Sequence, residues 1–223
     1  MQRQFEIELD EIKHAILTMA GLVEKTLVDV SKAVAAGDPA VADGVIAMDD
    51  EIDQYEVTID RLATEFIARH QPTATDLRFV IVAIKLGPEL ERIADNAVNI
   101  AERVVDMDPS RASRPIKQLL RMLGLAQAMV TDSIAAYVAR DAAAAREIIR
   151  RDDEVDSLYW EVFRELLHVM VDHPDQISHA IDLILMARFV ERIADQATNI
   201  SEEVVYLVEA RPIRHVRDDK VQD

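Results

Sequence analysis

The chain has no cysteine. Disulfides, thiolate-held zinc or iron–sulfur sites and cysteine nucleophiles are therefore excluded. Glycine and proline are scarce, five and seven in 223 residues, which leaves little material for the turns of a β protein. Long apolar runs are missing too. Uncharged stretches reach only ten residues, as in Met122 to Thr131, against about 20 for a membrane-spanning helix. The N-terminal Met-Gln-Arg-Gln-Phe-Glu-Ile-Glu-Leu-Asp has no apolar signal core. A cytoplasmic protein that does not span the membrane is expected. Positive charge is also short: 25 Lys and Arg face 42 Asp and Glu, a net charge of −17. That balance opposes binding to nucleic acid, whose phosphates are met by Lys and Arg, and to anionic membrane surfaces. It suits a cation or a basic protein partner, although solubility alone also accounts for it.

What is present points to helices. Half of the chain is hydrophobic, with alanine, leucine, isoleucine, glutamate and arginine at helical spacing; the fold expected is all-α. Gly37-Asp38-Pro39 ends one helix and begins another, with Asp38 as N-cap and Pro39 in the first turn. Gln71-Pro72 and His173-Pro174 break the chain similarly, and Asp141 before four alanines is a further start. These marks predict six long helices, at 4–36, 39–70, 75–107, 114–140, 142–172 and 176–209. Turns this short make neighbours antiparallel. The expectation is a tandem pair of pseudo-symmetric up–down–up three-helix bundles, residues 1–110 and 111–210. A loose charged tail follows at 211–223.

The two halves share a long motif. Glu91-Arg-Ile-Ala-Asp95, with Asn99-Ile100, returns as Glu191-Arg-Ile-Ala-Asp195, with Asn199-Ile200. Residues 89–105 and 189–205 agree at eleven of seventeen positions without a gap. On the second helices, Asp49-Asp50-Glu51-Ile52-Asp53 matches Asp152-Asp153-Glu154-Val155-Asp156. The repeat thus spans whole halves and marks a duplicated unit. Leu77, Ile84, Ile93, Ala97, Ile100 and Val104, with Val80 or Ile81, form one apolar stripe, as do Leu183, Ile193, Ala197, Ile200 and Val204. Gly87-Pro88 interrupts the first of these helices and predicts a kink there.

Four residues turn a helix by about 400°. Glu91, Asp95 and Asn99 therefore stack into an oxygen ladder beside the apolar stripe, as do Glu191, Asp195 and Asn199. Asp49–Asp53 and Asp152–Asp156 make shorter ladders. Like charges at this spacing cost a few tenths of a kcal/mol, and the chain repeats that cost four times. A hard or borderline cation held between second-helix and third-helix acids would offset it. The other reading is a solvated acidic face, with Arg92 and Arg192 paired to acids on neighbouring helices.

Glu11-x-x-His14 and Glu165-x-x-His168 match the element of di-iron bundles, which gives an alternative function, a ferritin-like di-metal carboxylate enzyme. It requires both histidines to face the ladders inside one bundle. For His168 a packing role in the core is the competing expectation, and the same holds for the methionines and Trp160. No glycine-rich phosphate loop, nucleophile elbow, zinc-protease signature or nucleophile–base pair is legible. No catalytic residue is expected.

At the Glu-Arg-Ile-x-Asp repeat the sequence resembles the PhoU family of phosphate-transport and phosphate-signalling regulators. The likeness extends to Gln71-Pro72-Thr73-Ala74-Thr75-Asp76-Leu77-Arg78, to Gly21-Leu22-Val23-Glu24 and to Arg214-His215-Val216. The resemblance implies tandem three-helix bundles and metal clusters at Asp49, Asp53, Glu91, Asp95, Asp152, Asp156, Glu191 and Asp195. The metals implied are divalent or trivalent ions: Fe, Mn, Mg or Zn. It also implies a non-enzymatic adaptor between the ATPase of the Pst importer (PstB-like) and the PhoR-like sensor histidine kinase, repressing the starvation response when phosphate is plentiful. Long bundles with exposed faces add the expectation of a homodimer.

Overall fold

The structure, a computed structural model, describes residues 2–107 and 116–213. Seven α-helices account for nearly all of them: α1 (Gln2–Ala36), α2 (Pro39–Ile46), α3 (Asp49–His70), α4 (Ala74–Asp106), α5 (Ile116–Ala139), α6 (Ala142–Asp172) and α7 (Ile177–Glu209). A 3-10 turn at Pro174–Gln176 joins α6 to α7. There is no strand among the described residues.

The helix ends follow local chemistry. Asp38 Oδ1 accepts from the Ala40 amide at 2.9 Å, and Pro39 opens α2. Asp141 Oδ1 accepts from the amides of Ala143 and Ala144 and starts α6. Each cap satisfies donors that have no partner inside the helix. Gly37 takes φ +59°, a left-handed turn that glycine adopts without a Cβ penalty.

One predicted helix is two. The span expected at 39–70 breaks at Ala47-Met48 into α2 and α3. No glycine or proline marks the break, and Met48, the residue before α3, makes no side-chain cap bond. The other long helices stand within a few residues of their expected bounds. The expected boundary near Asp108–Pro115, the first residues foreseen for the fourth helix, and Arg214 to Asp223 of the expected tail lie outside the described residues.

In the first half α1 packs on α3 and α4; in the second, α5 packs on α6 and α7. The core holds Ile12, Ile16, Phe66, Leu90, Ile93 and Ile100 in one half and Leu119, Met122, Val162, Val190, Ile193 and Ile200 in the other. Both predicted stripes face inward, with Leu77, Ile81 and Ile84 only half-buried. α4 remains one helix through Gly87-Pro88. A Cβ on Gly87 would come within 3.4 Å of Glu56 Cγ, so glycine here lets α3 lie close to α4.

The halves meet mainly through α4 and α7. Lys85 Nζ reaches Glu203 at 2.8 Å, Asn199 Nδ2 donates to Glu89 Oε2 at 3.1 Å, and Arg103 lies 3.7 Å from Asp182. As one residue number rises its partner falls, so the two helices cross antiparallel. The asparagines expected on the ladders serve elsewhere: Asn199 joins this interface, and Asn99 donates to the Asp95 carbonyl.

Candidate metal centre

Each bundle sets its second-helix acids against its third-helix acids. In the first, Asp49 and Asp53 of α3 lie across from Glu91 and Asp95 of α4. Burial pushes the Glu91 carboxyl up to about 7, and the negative charges of Asp95, Glu56 and Asp53 add to it. Asp49 is raised for the same reasons, burial first and then Asp53 and Asp95. In the second bundle, burial lifts Asp152 to about 7, helped by Asp195, Asp156 and Glu191. Glu191 and Asp195 also rise, burial leading. All eight predicted acids are thus brought together, four in each bundle, and the two groups are separate.

The structure adds members that sequence reading passed over. Glu56 stands one turn beyond Asp53 and acts on Glu91; Glu102 acts on Asp49. The spacing Asp49–Asp53–Glu56 was legible as a single stripe. Its repeat counterpart at position 159 is tyrosine, so a criterion of duplication discards Glu56.

The two groups differ in their cations. Arg188 Nη1 lies 2.5 Å from Glu191, and Arg188 and Arg192 both draw the Asp195 and Glu191 carboxyls downward against the dominant rise. The first bundle has Pro88 where the second has Arg188, and Arg92 turns to Glu89 of its own helix at 3.6 Å. Arg92 and Arg188 therefore pair within their own helix, and Arg192 lies over the Phe189 ring of its own helix at 5.9 Å. The first acid group keeps more uncompensated charge.

The donors fit a hard or borderline cation in kind, since every one is a carboxylate oxygen. Asp152 Oδ1 and Glu191 Oε2 are buried with no hydrogen-bond partner, a costly state for a polar atom. As the side chains stand, no three acidic or histidine groups among the described residues enclose a common point. Glu91 and Asp95 share a side-chain hydrogen bond in the first group, and chelation there or in the second group would require the carboxylates to rotate toward a common point.

The histidines do not contribute. His14 is exposed on α1 and His168 exposed on α6, in different bundles. This corrects both expectations for His168, ladder partner and packing residue, and removes the premise of the ferritin-like alternative. In the apolar run Leu166–Met170, Leu166 is buried in the core and Met170 packs partly buried against it, while Leu167 and His168 are exposed. Trp160, expected in the core, is 56% exposed.

Against this geometry the similarities to known proteins are decisive. The PhoU domain family matches twice, at residues 16–104 and 119–204, once in each bundle. The chain belongs to the PhoU family. Among its relatives, the phosphate-specific transport system accessory protein PhoU of Escherichia coli is 35% identical over 219 residues, covering 98% of this chain and 90% of the relative. A PhoU homolog from Clostridium acetobutylicum is 32% identical, covering 94% and 96%. The crystal structure of PhoU from Pseudomonas aeruginosa superposes with a TM-score of 0.90 at 36% identity, over 93% of this chain and all of that one. PhoU from Streptococcus pneumoniae superposes at 0.88, with 28% identity and 94% and 99% coverage.

The acid groups give the metal-free protein a defined pH response. Glu91 and Asp152 hold protons more tightly folded than unfolded, so their protonation favours the native state. That stability is fully present below about pH 4, near the unfolded values of the two groups, and is lost as pH rises to about 7. In chelator, melting temperature is expected to rise as pH falls from 7.5 to 5. The gain is about 1–2 kcal/mol for the two groups together, because water screens half-exposed carboxylates. Glu91→Gln/Asp152→Asn should flatten the profile; an unchanged slope would remove these groups as its cause.

Proposed function

We propose that this chain is a regulatory accessory protein of phosphate transport, acting as a cytoplasmic, non-enzymatic adaptor. Its partners are the ATPase subunit of the Pst importer and a PhoR-like sensor histidine kinase, and it represses the starvation response in high phosphate. The carrying observation is two family domains, one per bundle, in a chain alike over nearly its full length to phosphate-specific transport system accessory proteins. The absence of a nucleophile–base signature in the sequence agrees with an adaptor. In the same reading the acids Asp49, Asp53, Glu91 and Asp95, and Asp152, Asp156, Glu191 and Asp195, hold Fe, Mn, Mg or Zn. A bound cation would neutralise repelling carboxylates and tie α3 to α4 and α6 to α7.

An adaptor changes a kinase only by binding one of its states more tightly. α5 supports a role outside the bilayer. Its Lys117–Ala139 span is long and apolar enough to cross a membrane, yet half of its most apolar window is buried within the bundle. Leu119, Met122, Leu123, Ala126, Met129 and Val130 supply core packing there.

The test is binding of the intact protein to the purified ATPase subunit and to the kinase's cytoplasmic portion, with and without Mn²⁺ and phosphate. Saturable binding to each is expected. Binding to neither under any condition would end the adaptor reading.

A further inference from the structure

The outer face of the α6–α7 hairpin carries apolar side chains that the core does not use. On α6, Trp160, Leu167 and Val171 are 56%, 43% and 78% exposed; on α7, Ile177, Ile181 and Leu185 are 42%, 45% and 36% exposed. These six are half of the twelve large hydrophobics exposed among the described residues. Steps of seven and four residues on α6, and of four and four on α7, keep each set on one helical stripe. Arg188, next on the α7 stripe, lies over the Tyr159 ring at 6.0 Å, and Tyr159 meets Trp160 edge-on at 5.4 Å. The stripes therefore join at that end, and the Pro174–Gln176 turn joins them at the other. A contiguous exposed apolar face of this kind marks an interaction site.

The first bundle supplies an internal control. The positions matching Trp160, Leu167 and Val171 hold Val57, Thr64 and Ala68, and Leu185 is matched by Lys85. Leu77 and Ile81, matching Ile177 and Ile181, are half-buried. The fold thus does not require an extended apolar surface at these places: among the first bundle's counterparts only Val57, 62% exposed, is a large exposed hydrophobic.

Charge selects the occupant. Asp153, Asp156, Glu161 and Asp172 are exposed along the same helix and outnumber Arg164, the exposed cation on the Trp160 stripe, within a chain of net charge −17. A second copy or an anionic membrane would bring like charges together. A segment with apolar anchors and flanking Lys or Arg would meet both features of the face. We propose that this face seats an apolar, basic helical segment of the importer's ATPase subunit. The assignment rests on the adaptor reading above.

The experiment measures affinity of the intact protein for the purified ATPase subunit at 50 and 500 mM NaCl. Two variants, Trp160→Ser/Leu167→Ser/Val171→Ser and Ile181→Ser/Leu185→Ser, change only exposed positions, and unchanged melting curves check their folding. Each is expected to raise Kd at least about tenfold, while Val57→Ser on the first bundle stays within twofold. Wild-type affinity should fall steeply with salt. Wild-type binding that both variants keep, or that ignores salt, would overturn this assignment and leave the adaptor reading standing. So would Trp160-dependent dimerisation, or binding to phosphatidylserine vesicles, with ATPase affinity intact. Failure of the wild type to bind the ATPase at all would remove the adaptor's importer arm and this face with it.

Discussion

Asp53→Asn/Asp95→Asn is expected to abolish the tighter of two Mn²⁺-binding events and to make the metal-free protein more stable. Both effects come from one cause. In the first acid group Asp53 and Asp95 add to the negative field on Glu91 and Asp49, and no arginine lies among the causes that shift those two groups. Removing two charges relieves repulsion, and removing two donors leaves the ion too few oxygens. In the second group Arg188 and Arg192 already offset part of the charge. A cation there competes with an internal partner of Glu191, so it should bind about tenfold or more weakly. Arg188→Ala should narrow that gap. At a Mn²⁺ concentration 100 times Kd, binding contributes about 2.7 kcal/mol of stability. Titration calorimetry, with melting in chelator and in Mn²⁺, reads all of these together. A double variant that keeps two binding events, or melts lower than wild type in chelator, would refute the account of the first group.

Phe66→Ala should give the largest loss of stability of any single substitution considered. Phe66 is fully buried on α3, with its ring centroid 4.9 Å from those of Phe5 and His70. The ring ties the start of α1 to the end of α3. Glu8 reinforces the junction through His70 at 2.9 Å, and its carboxyl is held low by hydrogen bonds from Gln4 and His70. Emptying the position removes apolar burial and leaves a cavity, a cost of about 3–5 kcal/mol. For a chain of this length that lowers the melting temperature by about 6–20 °C. The second bundle and both acid groups retain their own contacts, so Mn²⁺ binding at low temperature should persist. A shift under about 3 °C would show that the junction repacks. Leu at this position, which refills much of the volume, should recover part of the loss.

Periodicity carries far in this chain because its helices are long. The apolar stripes, the caps at Asp38 and Asp141, and the duplicated acids can each be read from spacing, since a helix converts spacing into direction. The break at Ala47-Met48 itself holds no glycine or proline, and Gly44 lies inside the last turn of α2 and not at the break. The side-chain cap that would mark the start of α3 is also missing, so local sequence runs the two helices together. His168 and Trp160 fail for another reason. Their apolar neighbours suggest burial, but whether a helix face is covered depends on which helix lies beside it. Glu56 escaped because duplication was the filter, and tyrosine stands at its counterpart.

Alone, the order of residues determined an all-helical chain, its two-fold internal repeat, and the eight acids stacked along four helices. The rotation of 100° per residue does this without reference to anything distant. Tertiary structure decided which ladders face one another, that Asn199 crosses to Glu89, that Arg188 reaches Glu191, and that Trp160 stands outside. Those outcomes depend on how helices far apart in the chain are placed, and electrostatic and packing energies act through that placement.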